Sequence, residues 1–301
     1  MVGAGPAALA AAVYTAREDI STLLVEKAVV GGLAAITDKV DNYPGFADGV
    51  AGLELSRQLQ LQAERFGARV QLGEVEKITK GDGLFKVCLA GEEPVLAKSV
   101  LVATGSEWKK LGIPGETEFY GRGIHNCATC DGAFYRDKKL VVIGGGNSSA
   151  QESLYLTKFA SQIEVLIRGE AWRASDVLVK SVHSHPKIKV NFKTKPLKVR
   201  GEAGRVRAVL AETAGEEKEI ATDGVFVFIG LRPVSEFLAG SDVRLDEFGF
   251  VETDGGLRTN VEGLFCAGDV RSGATMQIAS AVGEGATAAL SISHFLDGLK
   301  A

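Results

Sequence analysis

Cysteine is scarce in this chain, as is every feature that marks a secreted, membrane-spanning or nucleic-acid-binding protein. Four cysteines in 301 residues do not make a disulfide scaffold, and the expected setting is the reducing cytoplasm. No stretch approaches the roughly 18 uninterrupted apolar residues of a membrane span, and no charged segment leads into an apolar signal core. A formal charge of −4 with no run of like charges offers no basic patch to nucleic acid. Seven prolines against 37 glycines exclude a proline-rich disordered chain and point to many tight turns. What is present is ample apolar material: 46% hydrophobic residues over this length suffice for one large or two medium domains.

The chain opens on a GxGxxA, Gly3-Ala4-Gly5-Pro6-Ala7-Ala8, followed by an Ala-rich helical run to Arg17. The apolar Thr22-Leu23-Leu24-Val25 then ends in Glu26. Glycine turn, helix and short strand ending in an acid form a dinucleotide-binding unit, the acid being placed for a ribose diol. Only Met1 and Val2 precede Gly3; either a few residues are lost upstream or the central strand is unusually short, and both predict weakened nucleotide binding or stability. An amphipathic helix is predicted over 52–66 with Gly67 as its cap. A strand meander is predicted through 77–89, and a buried strand over 100–103 that ends at Thr104-Gly105.

The second half repeats the plan. Lys138 to Ile143 runs into Gly144-Gly145-Gly146-Asn147-Ser148-Ser149, again strand, glycine turn and helix start. The next strand, Ile163 to Ile167, ends in Arg168, with Arg173 five residues on. A guanidinium at that edge suits a 2′-phosphate where an acid suits a diol, so the two halves are expected to bind different nucleotides. A solvated basic edge is the plainer reading. The strand 224–230 closes this half. Leu264 to Asp269 is a further strand with an acid at its edge, followed by a helix over 279–294. Leu111 to Glu116 and Gly230 to Pro233 read as linkers. His183-Ser184-His185-Pro186 reads as a surface turn, and Cys266 as a buried filler.

Between the halves lies His125-Asn126-Cys127-Ala128-Thr129-Cys130-Asp131-Gly132. Two thiols so spaced at the first turn of a helix can close a small disulfide, with a lowered thiolate pKa for the leading cysteine. Asp131 is placed to move the proton that exchange requires. Half of a zinc site is the alternative, but zinc needs four ligands; Cys88 and Cys266 stand singly, and His183 and His185 lie far off in the sequence. No metal site is expected. His125 is read either as structural or as a perturber of the thiols.

Together, the motifs GxGPAA, ATG, CATCDG, GGGNSS, an Arg-bearing loop and AGDV resemble the low-molecular-weight thioredoxin reductases, across essentially the whole chain. The resemblance implies an α/β fold of two Rossmann-like three-layer dinucleotide-binding domains, the NAD(P) domain inserted into the FAD domain. The expected boundaries are 1–110 and 234–301 for FAD and 111–233 for the NAD(P) domain, which carries the CxxC. It also implies FAD contacts from Gly3, Gly5, Pro6, Ala7, Glu26, Asn42, Thr104, Gly105, Asp269 and Gln277. NADPH contacts would come from Gly144, Gly146, Asn147, Ser148, Arg168 and Arg173. Cys130 would face the flavin, Cys127 would attack the disulfide of a thioredoxin-like protein, and Asp131 would be the acid–base group of a homodimeric NADPH-dependent reductase.

The sequence departs from that family pattern at three places. Relatives usually show His-Arg-Arg where this chain has Ile167-Arg168-Gly169, and one lost charge-assisted phosphate contact costs about 1.5–3 kcal/mol. NADPH and NADH preference should therefore lie closer together. Leu33 replaces a usual Gln and Met276 a usual Arg, thinning polar contacts to the flavin. A ferredoxin-linked reductase or a dithiol oxidase on the same scaffold is the rival reading.

Overall fold

The computed structural model describes residues 1–37 and 39–300. The chain divides into two compact units, Met1–Glu107 with Arg232–Ala301, and Trp108–Leu231.

In the first unit Leu23–Glu26 pairs in parallel with Arg69–Leu72, and Val100–Val102 with Leu264–Cys266. Val2 bridges Val25 on one side and Val102 on the other, so a two-residue stub does the work of a central strand. Its backbone is saturated: Val2 N donates to Leu101 O at 2.8 Å, Gly3 N to Val25 O at 2.8 Å, and the α-amine to Leu23 O at 2.7 Å. Burial of that amine pushes its pKa down to about 5, because an ammonium loses its hydration there.

Strand residues alternate between two faces, as a period of two requires. Leu24, Leu101 and Phe265 pack with the alanines of the first helix, Pro6–Arg17, and with the last helix, Ile278–Gly298. Val25, Val100, Val102 and Cys266 face the antiparallel meander of Val75–Gly81, Leu84–Leu89 and Val95–Ala97. The helices approach closely because both are small-residue rich: a Cβ on Gly285 would lie 2.2 Å from Ala7 O.

The second unit repeats these layers. Five parallel strands run in the order Ile188–Asn191, Gln162–Leu166, Lys139–Ile143, Gly224–Val227, Ile124–His125. Leu140, Val142, Val165 and Phe226 pack on the helix side with Leu156 of helix Asn147–Leu156. Val141, Ile143, Leu166 and Val225 face a second antiparallel meander, Thr194–Glu202, Arg205–Thr213 and Glu216–Ala221. The fold is thus the expected α/β class with two three-layer dinucleotide-type units.

The structure departs from the sequence reading in detail. Leu111 and Ile113, placed in a linker, pack on the core of the second unit, and the Glu116 carboxylate accepts from Leu111 N at 2.7 Å and Gly112 N at 2.8 Å. His183 is not in a turn; it sits in the last turn of helix Asp176–Ser184. That helix buries only Val182, too little apolar signal to read from spacing.

Candidate functional site

In the first unit the predicted residues gather where the parallel strands end. Gly3 has φ +95°, and a Cβ there would lie 2.5 Å from Ala103 O, so only glycine lets the chain turn between two strands. Gly5 caps the first helix and Pro6 begins it, as proline's fixed φ favours. Nothing lies within 4 Å of a Cβ on Gly5; the space there is open.

Glu26 closes its strand 9% exposed, Oε2 accepting from Ala4 N at 2.8 Å and Oε1 from Ala28 N at 2.9 Å. The carboxylate is therefore held against the glycine turn, each oxygen keeping a lone pair for a hydroxyl. A cavity of about 140 Å³ is lined by Gly3, Glu26 and Thr104 among others. The larger cleft, about 690 Å³ and lined by Met1, Ser21, Leu23 and Ser99, opens at the opposite ends of the strands. Glycine turn and acid converge on the smaller one.

Thr104 Oγ1 donates to Val234 O at 2.5 Å, and Val234 N to Gly105 O at 3.0 Å, with Gly105 at φ +70°. Asn42 and Gln277, distant in sequence, meet through Asn42 Nδ2 donating to Gln277 Oε1 at 3.1 Å. Gln277 caps the last helix, and Met276 before it has φ +57°. Asp269 is half-buried; burial first, then the nearby Glu284 carboxylate, raise its pKa to about 6.

Glu284 was missed by sequence reasoning. It pairs with Arg271 at 2.6 Å and accepts from Gly268 N at 2.7 Å, fixing the turn that presents Asp269. Nothing distinguishes it in a helix read only as Ala- and Gly-rich. Cys266 is fully buried, and burial raises its thiol pKa; it is the packing residue expected.

The second unit builds a matching turn. Gly144 has φ +151°, with a would-be Cβ 2.3 Å from Phe228 O. Gly146 caps helix Asn147–Leu156, and Asn147 Oδ1 accepts from Ser175 N at 2.8 Å. Arg173 N donates to Gly145 O at 2.7 Å, so the loop bearing this arginine is tied to the glycine turn. Ser148 lies in the first turn of that helix and is exposed. Arg168 and Arg173 are exposed, and neither forms an ion pair among the described residues.

Cys127 and Cys130 are joined as a disulfide, their Cα atoms 5.3 Å apart. Cys127 caps the short helix Ala128–Asp131, its Sγ accepting from Cys130 N at 3.2 Å. Asn126 Nδ2 donates to Val227 O at 2.9 Å, anchoring the pair just past the end of strand Ile124–His125. Asp131 carries a further contact, 3.2 Å from its Oδ2 to His125 Nδ1. On the other side of the ring, His125 Nε2 meets the Tyr135 hydroxyl at 2.7 Å. Tyr135 has no motif around it and was not found from the sequence.

A thioredoxin reductase of Bacillus subtilis strain 168 is 41% identical, aligned to 100% of this chain and 95% of its own length. One of Treponema pallidum is also 41% identical, over 100% and 97%. The crystal structure of thioredoxin reductase from Streptococcus pyogenes superposes with a TM-score of 0.93 at 35% identity, covering 99% of this chain and 97% of that one. With residues 1–285 matching the family as a whole, the chain belongs to the pyridine nucleotide-disulphide oxidoreductases.

Proposed function

We propose that this protein is an NADPH-dependent thioredoxin-disulfide reductase, in which Cys127 and Cys130 alternate between disulfide and dithiol. The observation that carries the reading is that disulfide, set beside an acid at the end of a parallel strand in a chain with two separate glycine cradles. When bound, NADPH supplies a hydride and FAD relays its two electrons to sulfur.

The residues fit both groups. Gly3 and Gly5 leave room for a diphosphate at the start of the first helix, with Pro6 and Ala7 in its first turn and Glu26 at the ribose. Thr104, Gly105, Asp269 and the Asn42–Gln277 pair would hold the rest of FAD. Gly144, Gly146, Asn147 and Ser148 would take the diphosphate of NADPH, and Arg168 with Arg173 its 2′-phosphate. On this reading 1–110 with 234–301 is the FAD domain and 111–233 the NAD(P) domain. The active form would be a cytoplasmic homodimer.

In the exchange, Cys127 attacks the disulfide of a thioredoxin-like protein and Cys130 then attacks Cys127, while Asp131 accepts and returns the proton. Anaerobic stopped-flow absorption tests the reading. NADPH should bleach the flavin rapidly, and an oxidised thioredoxin should restore its colour. Cys127→Ser should keep the first step and lose the second. A flavin that NADPH leaves yellow but reduced ferredoxin bleaches would give the rival assignment instead.

A further inference from the structure

We propose that His125 is a positioning residue for thiol–disulfide exchange, acting through Asp131, with Tyr135 fixing which ring nitrogen carries the proton. The inference rests on Cys127–Cys130 being the exchanging pair. His125 is held from every side. Its ring lies 5.3 Å from that of Phe226, the strand residue paired with it, and 5.3 Å from that of Tyr135 at an edge angle of 72°. Tyr135 in turn packs edge-on to Phe226 at 5.6 Å. A ring wedged between two others has one orientation, and that orientation aims Nδ1 at Asp131.

The hydrogen-bond order follows. Burial, then the Asp131 and Asp223 charges, raise the pKa of the Tyr135 phenol, so it keeps its proton and donates to Nε2 at 2.7 Å. Nδ1 is then the ring N–H, and it lies 3.2 Å from Asp131 Oδ2. That contact engages Oδ2 and leaves Oδ1 to take the thiol proton. The other ionisable groups near this chain are the two cysteines, Asp223 beside Tyr135, and Tyr120, which also feels Asp131 and Glu116. None of these is a cation.

The exchange balances without any other group. A thiol loses its proton to Asp131, and its sulfur displaces one sulfur of the attacked disulfide, which leaves as a thiolate and is protonated. The second thiol then attacks the mixed disulfide and its proton follows. Two thiols and one disulfide become one disulfide and two thiols.

The test uses the full-length flavoprotein, reduced with a water-soluble phosphine, freed of it by gel filtration and then mixed with 5,5′-dithiobis(2-nitrobenzoate), the rate being followed between about pH 4.5 and 9. His125→Phe keeps the ring packing and loses both polar contacts. Its acid limb should move up by about one pH unit, roughly a tenfold rate loss on that limb. His125→Asn, whose amide nitrogen can stand in for Nδ1–H, should return the limb to near its original place. Tyr135→Phe should fall between them. Superposable profiles for wild type and His125→Phe would overturn the inference, as would equal displacement in His125→Asn. If His125→Phe fails to fold, the Tyr135→Phe profile decides alone: displaced supports, unmoved overturns. A wild type that reduces thioredoxin, with variants whose profiles match its own, defeats only this inference. One that reduces no thioredoxin while its aryl-disulfide profile shifts defeats only the assigned partner.

Discussion

Asp269 is the residue whose chemistry and stability pull in opposite directions. Its folded pKa, near 6, stands above the unfolded value near 3.9, so between those pH values the folded state holds the proton more tightly. Stability is therefore lost as pH rises from about 4 to 6. Asp269→Asn should stabilise the flavin-free protein at pH 7 by about 3 kcal/mol and leave it nearly unchanged at pH 4, read from denaturant midpoints at each pH. The same substitution should weaken FAD retention, because an amide is a poorer acceptor for polyol hydroxyls than a carboxylate. At the proposed NADPH site, a Cβ on the exposed Gly169 would have nothing closer than 3.6 Å, so Gly169→Arg can add a guanidinium beside Arg168 without steric conflict. It should lower KM for NADPH about tenfold while leaving KM for NADH nearly unchanged. Arg173→Ala should do the reverse, raising KM for NADPH alone. These residues were legible because a charge at a strand end carries meaning in one letter. Glu284 and Tyr135 were not: one acts through a backbone N–H that only the folded turn presents, the other through a ring contact across ten residues.

Elements set where those side chains sit, and glycine separates folding from binding within a single turn. Gly3→Ala meets Ala103 O at 2.5 Å in a left-handed backbone, so it should destabilise the chain by about 1–3 kcal/mol with or without flavin. Gly5→Ala meets nothing within 4 Å. It should leave the thermal midpoint of the flavin-free protein in place and reduce only FAD affinity, measured by flavin release on dilution. A fall in that midpoint equal to the one in Gly3→Ala would mean that Gly5 is needed for the turn rather than for the ligand. Elements bounded by such glycines could be read in advance, as could the all-apolar strands Val100–Val102 and Gly224–Val227 and the meander after Val75. The meander from Thr194 to Ala221 could not. Its strands expose charged residues on most of their length, and its apolar residues, spaced irregularly by bulges at Pro196/Lys198 and Arg200/Gly201, give no clean alternation.

At the scale of the whole chain, one unit interrupts the other, and the interruption leaves a measurable consequence. The chain leaves the first unit at Glu107 and returns at Arg232, and these two residues form an ion pair at 3.2 Å. The ends that an excision would expose are therefore already side by side. Each unit also has its own two-sided core, one built around Leu24, Leu101, Phe265 and Val102 and the other around Val142, Phe226, Val141 and Val209, which is what independent folding requires. Met1–Glu107 joined to Arg232–Ala301 by two glycines should fold, bind FAD and be yellow, yet show no bleaching with NADPH, since both candidate phosphate-binding arginines and the CxxC are gone. The excised segment Trp108–Leu231 should unfold in one cooperative transition and keep one dithiol that titrates after reduction. If the fused first unit precipitated or stayed colourless with FAD while the excised segment folded, the sheet built on the Met1–Val2 stub would be too weak to stand alone. The inserted unit would then be needed to complete its fold as well as to supply its electrons.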